Sequence, residues 1–290
     1  MQSQPSQSEP PVLAQGLGLR YRRGIFKVQE VQALQDLDLW LEQDEVLGVV
    51  GPNGSGKSSL FRCLLGLVPI AEGKVQVLGA APGDRTRLAQ IGHQAEERLP
   101  LGRFTAREFL TLDGTLRGWP RSEAGDRADL LLRRVGLQEA ADRYHEDFST
   151  GMARRLAIAH AIYAEPRLLL LDEPTAGMDP FGVEITREIL AEESARGCTC
   201  IVATHSLEEL EDCFDRLLVL FRGRVLALGA PGEILAQVGR HEFIVEDLDD
   251  YALEALVERI DHFGGKLVQM KTGQLRLSTW LRQHERGDSS

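Results

Sequence analysis

The chain has 290 residues, with 33 Lys and Arg residues against 44 Asp and Glu residues, which gives a formal net charge of −11 at pH 7. An acidic chain lacks the basic surface needed to bind nucleic acid or to dock directly on an anionic membrane, so we expect neither. The most apolar stretch, residues 60–70, is interrupted by Arg62 and is shorter than the ~18 residues of a membrane-spanning helix. The sequence therefore predicts no direct insertion into a membrane.

The start of the chain differs in composition from the rest of the sequence. Residues 1–11 are rich in Gln, Ser and Pro and contain no long apolar run, so we expect a disordered tail. Beyond it, short apolar segments are typical of strands, and those that are apolar at every position suit a parallel sheet buried on both faces. Strands are predicted for residues 12–21, 34–41, 46–50, 168–171 and 200–204.

Segments rich in helix-forming residues lie between these strands. Helices are predicted near residues 58–66, 152–164 and 183–196. Residues 97–148 lack β-branched runs and carry apolar residues at helical spacing, so we expect a mainly helical insert there. Strands that alternate with helices predict an α/β fold with a parallel or mixed sheet.

Residues 240–290 are predicted to form a small C-terminal α+β appendage. A strand at residues 241–246, an amphipathic helix, and a hairpin around Thr272 and Gly273 give it the order βαββ. No motif in it separates dimerisation from contact with a membrane subunit or from ligand sensing. Packing or dimerisation is our default expectation.

The segment after residues 46–50 has the P-loop pattern G-x-x-x-x-G-K-S. This pattern and the serine after it comprise Gly51, Pro52, Asn53, Gly54, Ser55, Gly56, Lys57, Ser58 and Ser59. Glycines let backbone N–H groups approach phosphates closely, and the following helix adds the positive end of its dipole. Lys57 can then reach the β- and γ-phosphates, and the Ser58 hydroxyl can ligate Mg²⁺.

An apolar strand at residues 168–171 leads directly into Asp172 and Glu173. Ligands bind at the carboxyl edge of such sheets, so this pair is well placed to act on the phosphates. One carboxylate can hold Mg²⁺ through water, and the other can orient and deprotonate an attacking water molecule. An Asp-Glu pair often only ends a buried strand, but its combination with the P-loop favours the functional interpretation.

Four further motifs lie in a fixed order around these two. Residues 91–96 read IGHQAE, residues 148–152 read FSTGM, residues 176–179 read AGMD, and Thr204 and His205 end a predicted strand. With the P-loop and the Asp-Glu pair, they make residues 12–235 resemble the nucleotide-binding subunit of an ATP-binding cassette (ABC) transporter. In this resemblance they are the Q-loop, the signature motif, the D-loop and the switch histidine.

The resemblance implies a P-loop NTPase fold that uses ATP and Mg²⁺. Residues 12–239 would be the ATPase domain, with residues 97–148 as a helical subdomain. Two ATPase subunits would stack head to tail around two ATP molecules, and a homodimer is the simpler case because the motifs here are complete. A separate membrane-spanning subunit would dock on residues 97–148 and on the Q-loop. The chain would therefore be peripheral to the membrane, at its cytoplasmic face.

The same resemblance implies a role for individual residues. Glu173 would be the catalytic base, and His205 would contact the γ-phosphate. Ser149 and the backbone of Gly151 would contact the γ-phosphate of the ATP bound to the partner chain. Asp179 would help to couple the two sites.

Two positions leave alternatives open. Tyr21 is our candidate for stacking on adenine; the alternative is an ordinary sheet tyrosine, since Phe26 is nearby. At the Q-loop position we favour Glu96, as an oxygen ligand near Mg²⁺. A shift of one or two residues would instead place Gln94 there.

The signature motif has Thr150 in place of its first glycine and Met152 in place of glutamine. This form resembles the ABC exporters that move drugs, polysaccharides, ions or lipids through separate membrane subunits. The leading hypothesis is therefore an ATP-hydrolysing subunit that powers an exporter. One alternative is a soluble ABC ATPase that acts on ribosomes or DNA, and another is a regulatory module that binds ATP without turnover. The presence of Glu173 argues against the latter.

Overall fold

The computed structural model describes residues 9–23 and 29–237 of the chain. Most of the predicted tail and the whole predicted appendage, residues 240–290, lie outside the described residues. Phe26, the neighbour of Tyr21, also lies outside them.

The described residues contain strands, α-helices and short 3-10 helices. The strands are β1 (Val12–Arg23), β2 (Gln29–Trp40), β3 (Val46–Val50), β4 (Glu72–Val77), β5 (Ile91–Gln94), β6 (Leu168–Asp172), β7 (Thr199–Thr204), β8 (Arg216–Phe221) and β9 (Arg224–Gly229). The α-helices are α1 (Lys57–Leu64), α2 (Arg85–Leu88), α3 (Ala106–Leu116), α4 (Arg121–Arg134), α5 (Thr150–Ala161), α6 (Pro180–Ala195) and α7 (Pro231–Gln237). The 3-10 helices are Gln138–Ala140, His145–Asp147, Leu207–Glu209 and Glu211–Cys213.

Two sheets carry this fold. The larger has the order β5-β6-β7-β3-β8-β9, in which β9 alone runs antiparallel to its neighbour. The smaller is antiparallel, with the order β2-β1-β4. The predicted α/β fold with a mixed sheet is confirmed. The alternating pattern of residues 34–41 predicts a half-buried strand but not the sheet it joins, and the second sheet was therefore not predicted.

Strand β6 shows why its sequence is apolar at every position. Leu168 and Leu170 belong to a core cluster shared with α1 and the smaller sheet. Leu169 and Leu171 belong to a second cluster shared with α5 and α6. Successive side chains of a strand point to opposite faces, so both faces of β6 are buried. Each fully buried leucine contributes about 1.5–3 kcal/mol, which anchors the strand that ends in Asp172.

The predicted helical insert, residues 97–148, contains α3, α4 and two of the 3-10 helices. Helix α3 begins with a capping box in which Thr105 and Glu108 satisfy each other's backbone N–H groups. Its Gly114 faces Tyr163, whose hydroxyl donates to the Ala124 carbonyl at 3.0 Å. A Cβ at Gly114 would lie 2.0 Å from that hydroxyl oxygen, so glycine allows α3 and α4 to close around Tyr163.

Candidate functional site

The P-loop lies between β3 and α1, and two of its glycines are required by geometry. A Cβ at Gly51 would lie 2.2 Å from the Leu220 carbonyl oxygen. Gly56 has φ +116°, and its Cβ would lie 2.8 Å from the Ala33 carbonyl oxygen. The Gly223 N–H donates to the Ser55 carbonyl at 2.8 Å and holds the loop in place. Glycine at these two positions therefore lets the predicted P-loop pack directly against the backbone of β8 and β2.

The parallel ladder brings the ends of three strands to one edge of the sheet. Val50 pairs with Thr204, and Asp172 pairs with Ala203. The loops after β3, β6 and β7 therefore meet at the carboxyl edge. The P-loop follows β3, Asp172 ends β6 with Glu173 directly after it, and the switch histidine follows β7, as the sequence predicts.

Asp172 is a buried carboxylate with incomplete hydrogen bonding. Its side-chain Oδ1 has no hydrogen-bond partner among the described residues. Burial raises the pKa of Asp172 above its usual value, a hydrogen bond with Ser58 opposes this, and the negative charges of Glu96 and Glu173 raise it further. A cation beside Asp172 would relieve this charge crowding.

These oxygen ligands fit the requirements of Mg²⁺. Mg²⁺ is commonly held by one or two protein ligands together with waters and phosphate oxygens. Ser58 and Glu96 are both close enough to Asp172 to act on its pKa, and Glu96 is exposed. Across residues 9–23 and 29–237, no three His, Cys, Asp or Glu side chains form a ready-made metal site.

The Glu173 carboxylate is held between two basic side chains. Its Oε1 lies 3.3 Å from the Lys57 Nζ, and its Oε2 lies 2.7 Å from the His205 Nδ1. Lys57 also donates to the Gly51 carbonyl at 2.7 Å. The Lys57 and Glu173 side chains are each 6% exposed, whereas that of His205 is 48% exposed. The predicted base is therefore buried and contacts both of the basic residues that are expected to contact phosphate.

The two candidates for the Q-loop position differ in burial. Gln94 is buried at the end of β5, and its Nε2 donates to the Asp172 carbonyl at 3.0 Å. Glu96 is exposed. Gln94 therefore joins β5 to β6, and Glu96 is the more accessible of the two.

The signature motif and the D-loop both begin helices. Ser149 caps α5 by accepting from the Met152 N–H at 3.2 Å, and Asp179 caps α6 by accepting from the Gly182 N–H at 2.8 Å. A Cβ on Gly151 would meet Gly177 only at an ordinary contact distance, 3.6 Å. Caps of this kind fix where each helix begins and where its free N–H groups point.

Tyr21 is half-buried and contacts the P-loop helix. Its hydroxyl lies 3.4 Å from the Ser59 Oγ. A hydrogen bond that the Arg62 guanidinium donates to the Tyr21 hydroxyl oxygen is also the largest influence on the pKa of Arg62, which it raises. Both partners are on α1, so Tyr21 lies against the helix that begins at the end of the P-loop.

Comparisons with known proteins identify the family. The ABC transporter family model matches residues 34–176. The Nod factor export ATP-binding protein I of Rhizobium sp. strain N33 is 39% identical over 203 residues, which are 69% of this chain and 67% of that protein. An ABC transporter ATP-binding protein of Nostoc sp. strain PCC 7120 is 35% identical over 226 residues, which are 77% and 68% of the two chains.

The chain belongs to the ATP-binding proteins of ABC transporters. Among solved structures, CbiO1 from Clostridium perfringens, part of the ABC transporter complex CbiONQ, has a TM-score of 0.67 at 26% identity, and the match covers 88% of this chain and 99% of that one. This likeness confirms the P-loop NTPase fold of an ABC ATPase. The chain spans about two thirds of the length of the curated relatives it matches.

In the part of the chain that the structure describes, no helix is long and apolar enough to cross a bilayer.

Two arginines near the site received no role from the sequence. Arg154 donates to the Glu173 carbonyl at 2.7 Å. Arg98, two residues after the Q-loop segment, donates to the carbonyl of Phe148, directly before the signature serine, at 2.8 Å and to that of His145 at 3.3 Å. Arg154 and Arg155 form a basic pair just after the signature motif, which signals Arg154 only weakly, and nothing in the sequence signals Arg98. Both contacts are made to carbonyl groups far away in sequence, and such groups carry no side-chain signature.

Proposed function

We propose that this ABC ATPase hydrolyses ATP to drive export through separate membrane-spanning subunits. The proposal rests chiefly on the Glu173 carboxylate, which comes after Asp172 at the end of β6 and contacts Lys57 and His205. A base, a metal-binding carboxylate and two phosphate-binding side chains at one sheet edge are the parts that phosphoryl transfer to water requires.

When ATP binds, Lys57 and His205 exchange their contacts with Glu173 for contacts with phosphate. The phosphates lie against the P-loop N–H groups and the N-terminus of α1. The Lys57 ammonium turns from Glu173 and Gly51 toward the β- and γ-phosphates, and His205 contacts the γ-phosphate. Tyr21, beside α1, is the candidate that stacks on adenine.

The exchange frees Glu173 to act as the base. Its carboxylate orients a water molecule and accepts a proton from it as the water oxygen bonds to the γ-phosphorus. The bond from that phosphorus to the bridging oxygen breaks, and ADP leaves with the electron pair. Lys57 and His205 stabilise the charge on the γ-oxygens. Asp172 and Ser58, with Glu96 nearby, would hold Mg²⁺, which would supply positive charge to the phosphates.

A second copy of the chain completes each site. Ser149 and Gly151, at the first turn of α5, offer N–H groups and a hydroxyl to the γ-phosphate bound by the partner. Asp179, at the start of α6, couples the two sites. In the described part of the chain neither Ser149 nor Asp179 is hydrogen-bonded to a P-loop residue, which agrees with their use by another copy.

The name of one relative supports export, and an exposed apolar surface supports a membrane-spanning partner. The Rhizobium relative is named for Nod factor export. Residues 97–148 carry exposed apolar side chains, namely Phe104, Leu112, Leu116, Leu130 and Tyr144. This surface docks a membrane-spanning subunit and holds the ATPase at the cytoplasmic face of the membrane.

A pull-down of the tagged chain from detergent-solubilised native membranes tests the proposal. We expect a protein with several membrane spans, lost when Leu112 and Leu116 are both changed to Asp. Leu226→Asp, at an exposed position on β9, is the matched control and retains the partner. Recovery of ribosomal proteins alone would support the soluble alternative and overturn the role in transport.

A further inference from the structure

Arg154 makes a hydrogen bond that joins the signature helix to Glu173. Helix α5 begins immediately after Ser149, and Arg154 lies in its second turn. The Arg154 Nη1 donates to the main-chain carbonyl of Glu173 at 2.7 Å. Within the described part of the chain no other group hydrogen-bonds to the Arg154 side chain, and its buried Nε is left without a partner. The guanidinium is therefore directed at a single acceptor.

That acceptor belongs to a residue in an uncommon conformation. Glu173 has φ +51°, in the left-handed region that non-glycine residues rarely adopt. Its N–H donates to the Ala203 carbonyl at 2.8 Å, and its carbonyl accepts from Arg154. Residues in this region keep their conformation only when the surroundings impose it. These two bonds, with a longer one from the Ala176 N–H to the same carbonyl at 3.4 Å, fix the peptide groups on either side of Glu173, and so fix where its carboxylate points.

Helix α5 thus begins at the signature motif. In its second turn, Arg154 makes a charge-assisted hydrogen bond to the main-chain carbonyl of Glu173. We propose that Arg154 is a positioning residue that links the ATP contacted by the signature motif to Glu173 of the same chain. The signature serves the partner's ATP, so occupancy of one site then biases the base of the other. This inference rests on the proposed function, because it requires two chains that share their sites.

The distinguishing variant is Arg154→Met, which keeps the length of the side chain and removes its donors. The readouts are kcat and KM for ATP with the purified full chain, the thermal midpoint, and ATP-driven dimerisation in a Glu173→Gln background. We expect kcat to fall about tenfold, with KM, dimerisation and the thermal midpoint nearly unchanged. Arg154→Lys, which retains a donor, recovers part of the rate.

Arg143→Met is the matched control. Arg143 is exposed and also donates to a carbonyl, that of Asp147 at 3.0 Å, but it does not contact Glu173. We expect its kcat to equal that of the wild type. A kcat within twofold of wild type for Arg154→Met, or no recovery with lysine, would overturn the positioning role. An inactive wild-type chain would count instead against the proposed function.

A double variant tests the link to the signature motif. If Arg154 acts downstream of Ser149, the pair Ser149→Ala and Arg154→Met loses less rate than the product of the two single losses. A loss equal to that product would show that Arg154 holds Glu173 independently of the signature, and would overturn the link.

Discussion

The Glu173 Oε2 lies 2.7 Å from the Nδ1 of His205 and also accepts the His205 backbone N–H at 3.2 Å. The histidine side chain is accessible and the carboxylate is not. A phosphate that enters the site therefore reaches His205 before it can reach Glu173. The contact between His205 and Glu173 thus links an accessible side chain to a buried base. We therefore expect the position of the Glu173 carboxylate to depend on whether phosphate is bound at His205.

Lys57→Met tests the ion pair on the other side of the carboxylate. The change removes the Lys57 ammonium 3.3 Å from the Glu173 Oε1, in a buried setting. Loss of one partner of a buried pair costs up to about 3–5 kcal/mol, because the remaining charge is uncompensated. We expect a lower thermal midpoint without nucleotide, in addition to loss of ATP turnover.

Lys57→Met combined with Glu173→Gln is the control, because it removes both charges. We expect this double variant to regain most of the lost thermal stability. The contrary result is additivity: the double variant would lose as much midpoint relative to Lys57→Met as Glu173→Gln alone loses relative to wild type. The two side chains would then not be coupled in the folded protein.

Asp172→Asn is expected to stabilise the protein without nucleotide while it abolishes turnover. The pKa of Asp172 is raised above its ordinary value of 3.8, mainly by burial. The native state thus holds this proton more tightly than the unfolded chain, and stability falls as the pH rises from 3.8 through the raised pKa. Asparagine removes that penalty at neutral pH. A gain of about 1 kcal/mol corresponds to a midpoint about 2–4 °C higher.

The pH dependence of this gain is the sharper measurement. We expect the difference in midpoint between Asp172→Asn and wild type to shrink as the pH is lowered toward 3.8, where the native aspartate is protonated. A difference in midpoint that is negative at neutral pH, or that does not vary with pH, would contradict a carboxylate whose ionised form is destabilised by burial.

The sequence predicts which segments meet at the carboxyl edge of the larger sheet, because each of these segments has a local sequence pattern. The P-loop pattern requires particular backbone geometry at Gly51 and Gly56, and the apolar run before Asp172 requires a strand buried on both faces. The contacts of Arg154 and Arg98 with distant carbonyl groups depend on how the chain folds back on itself, so no local pattern reveals them. The same applies to β1 and β2, whose alternation does not show that they form a separate sheet.

Gly114→Ala tests the packing of the helical insert. The new Cβ would lie 2.0 Å from the Tyr163 hydroxyl oxygen and 2.8 Å from the Ala124 Cβ. Overpacking of this kind costs about 1–3 kcal/mol, so we expect a lower midpoint in urea or heat unfolding. Gly125→Ala, in α4 with no atom within 4 Å of the new Cβ, is the matched control and should be neutral or stabilising by up to about 1 kcal/mol. Equal midpoints for the two variants would contradict the close approach at Gly114.

The most direct measurement is phosphate release from ATP by the purified full chain and by Glu173→Gln, each with Mg²⁺ and with a chelator. We predict turnover by the wild-type chain that requires Mg²⁺, and a rate about 10²–10⁴-fold lower for Glu173→Gln with ATP still bound, since glutamine keeps the shape of the side chain but cannot accept the proton. An unchanged rate in Glu173→Gln would contradict the assignment of Glu173 as the base.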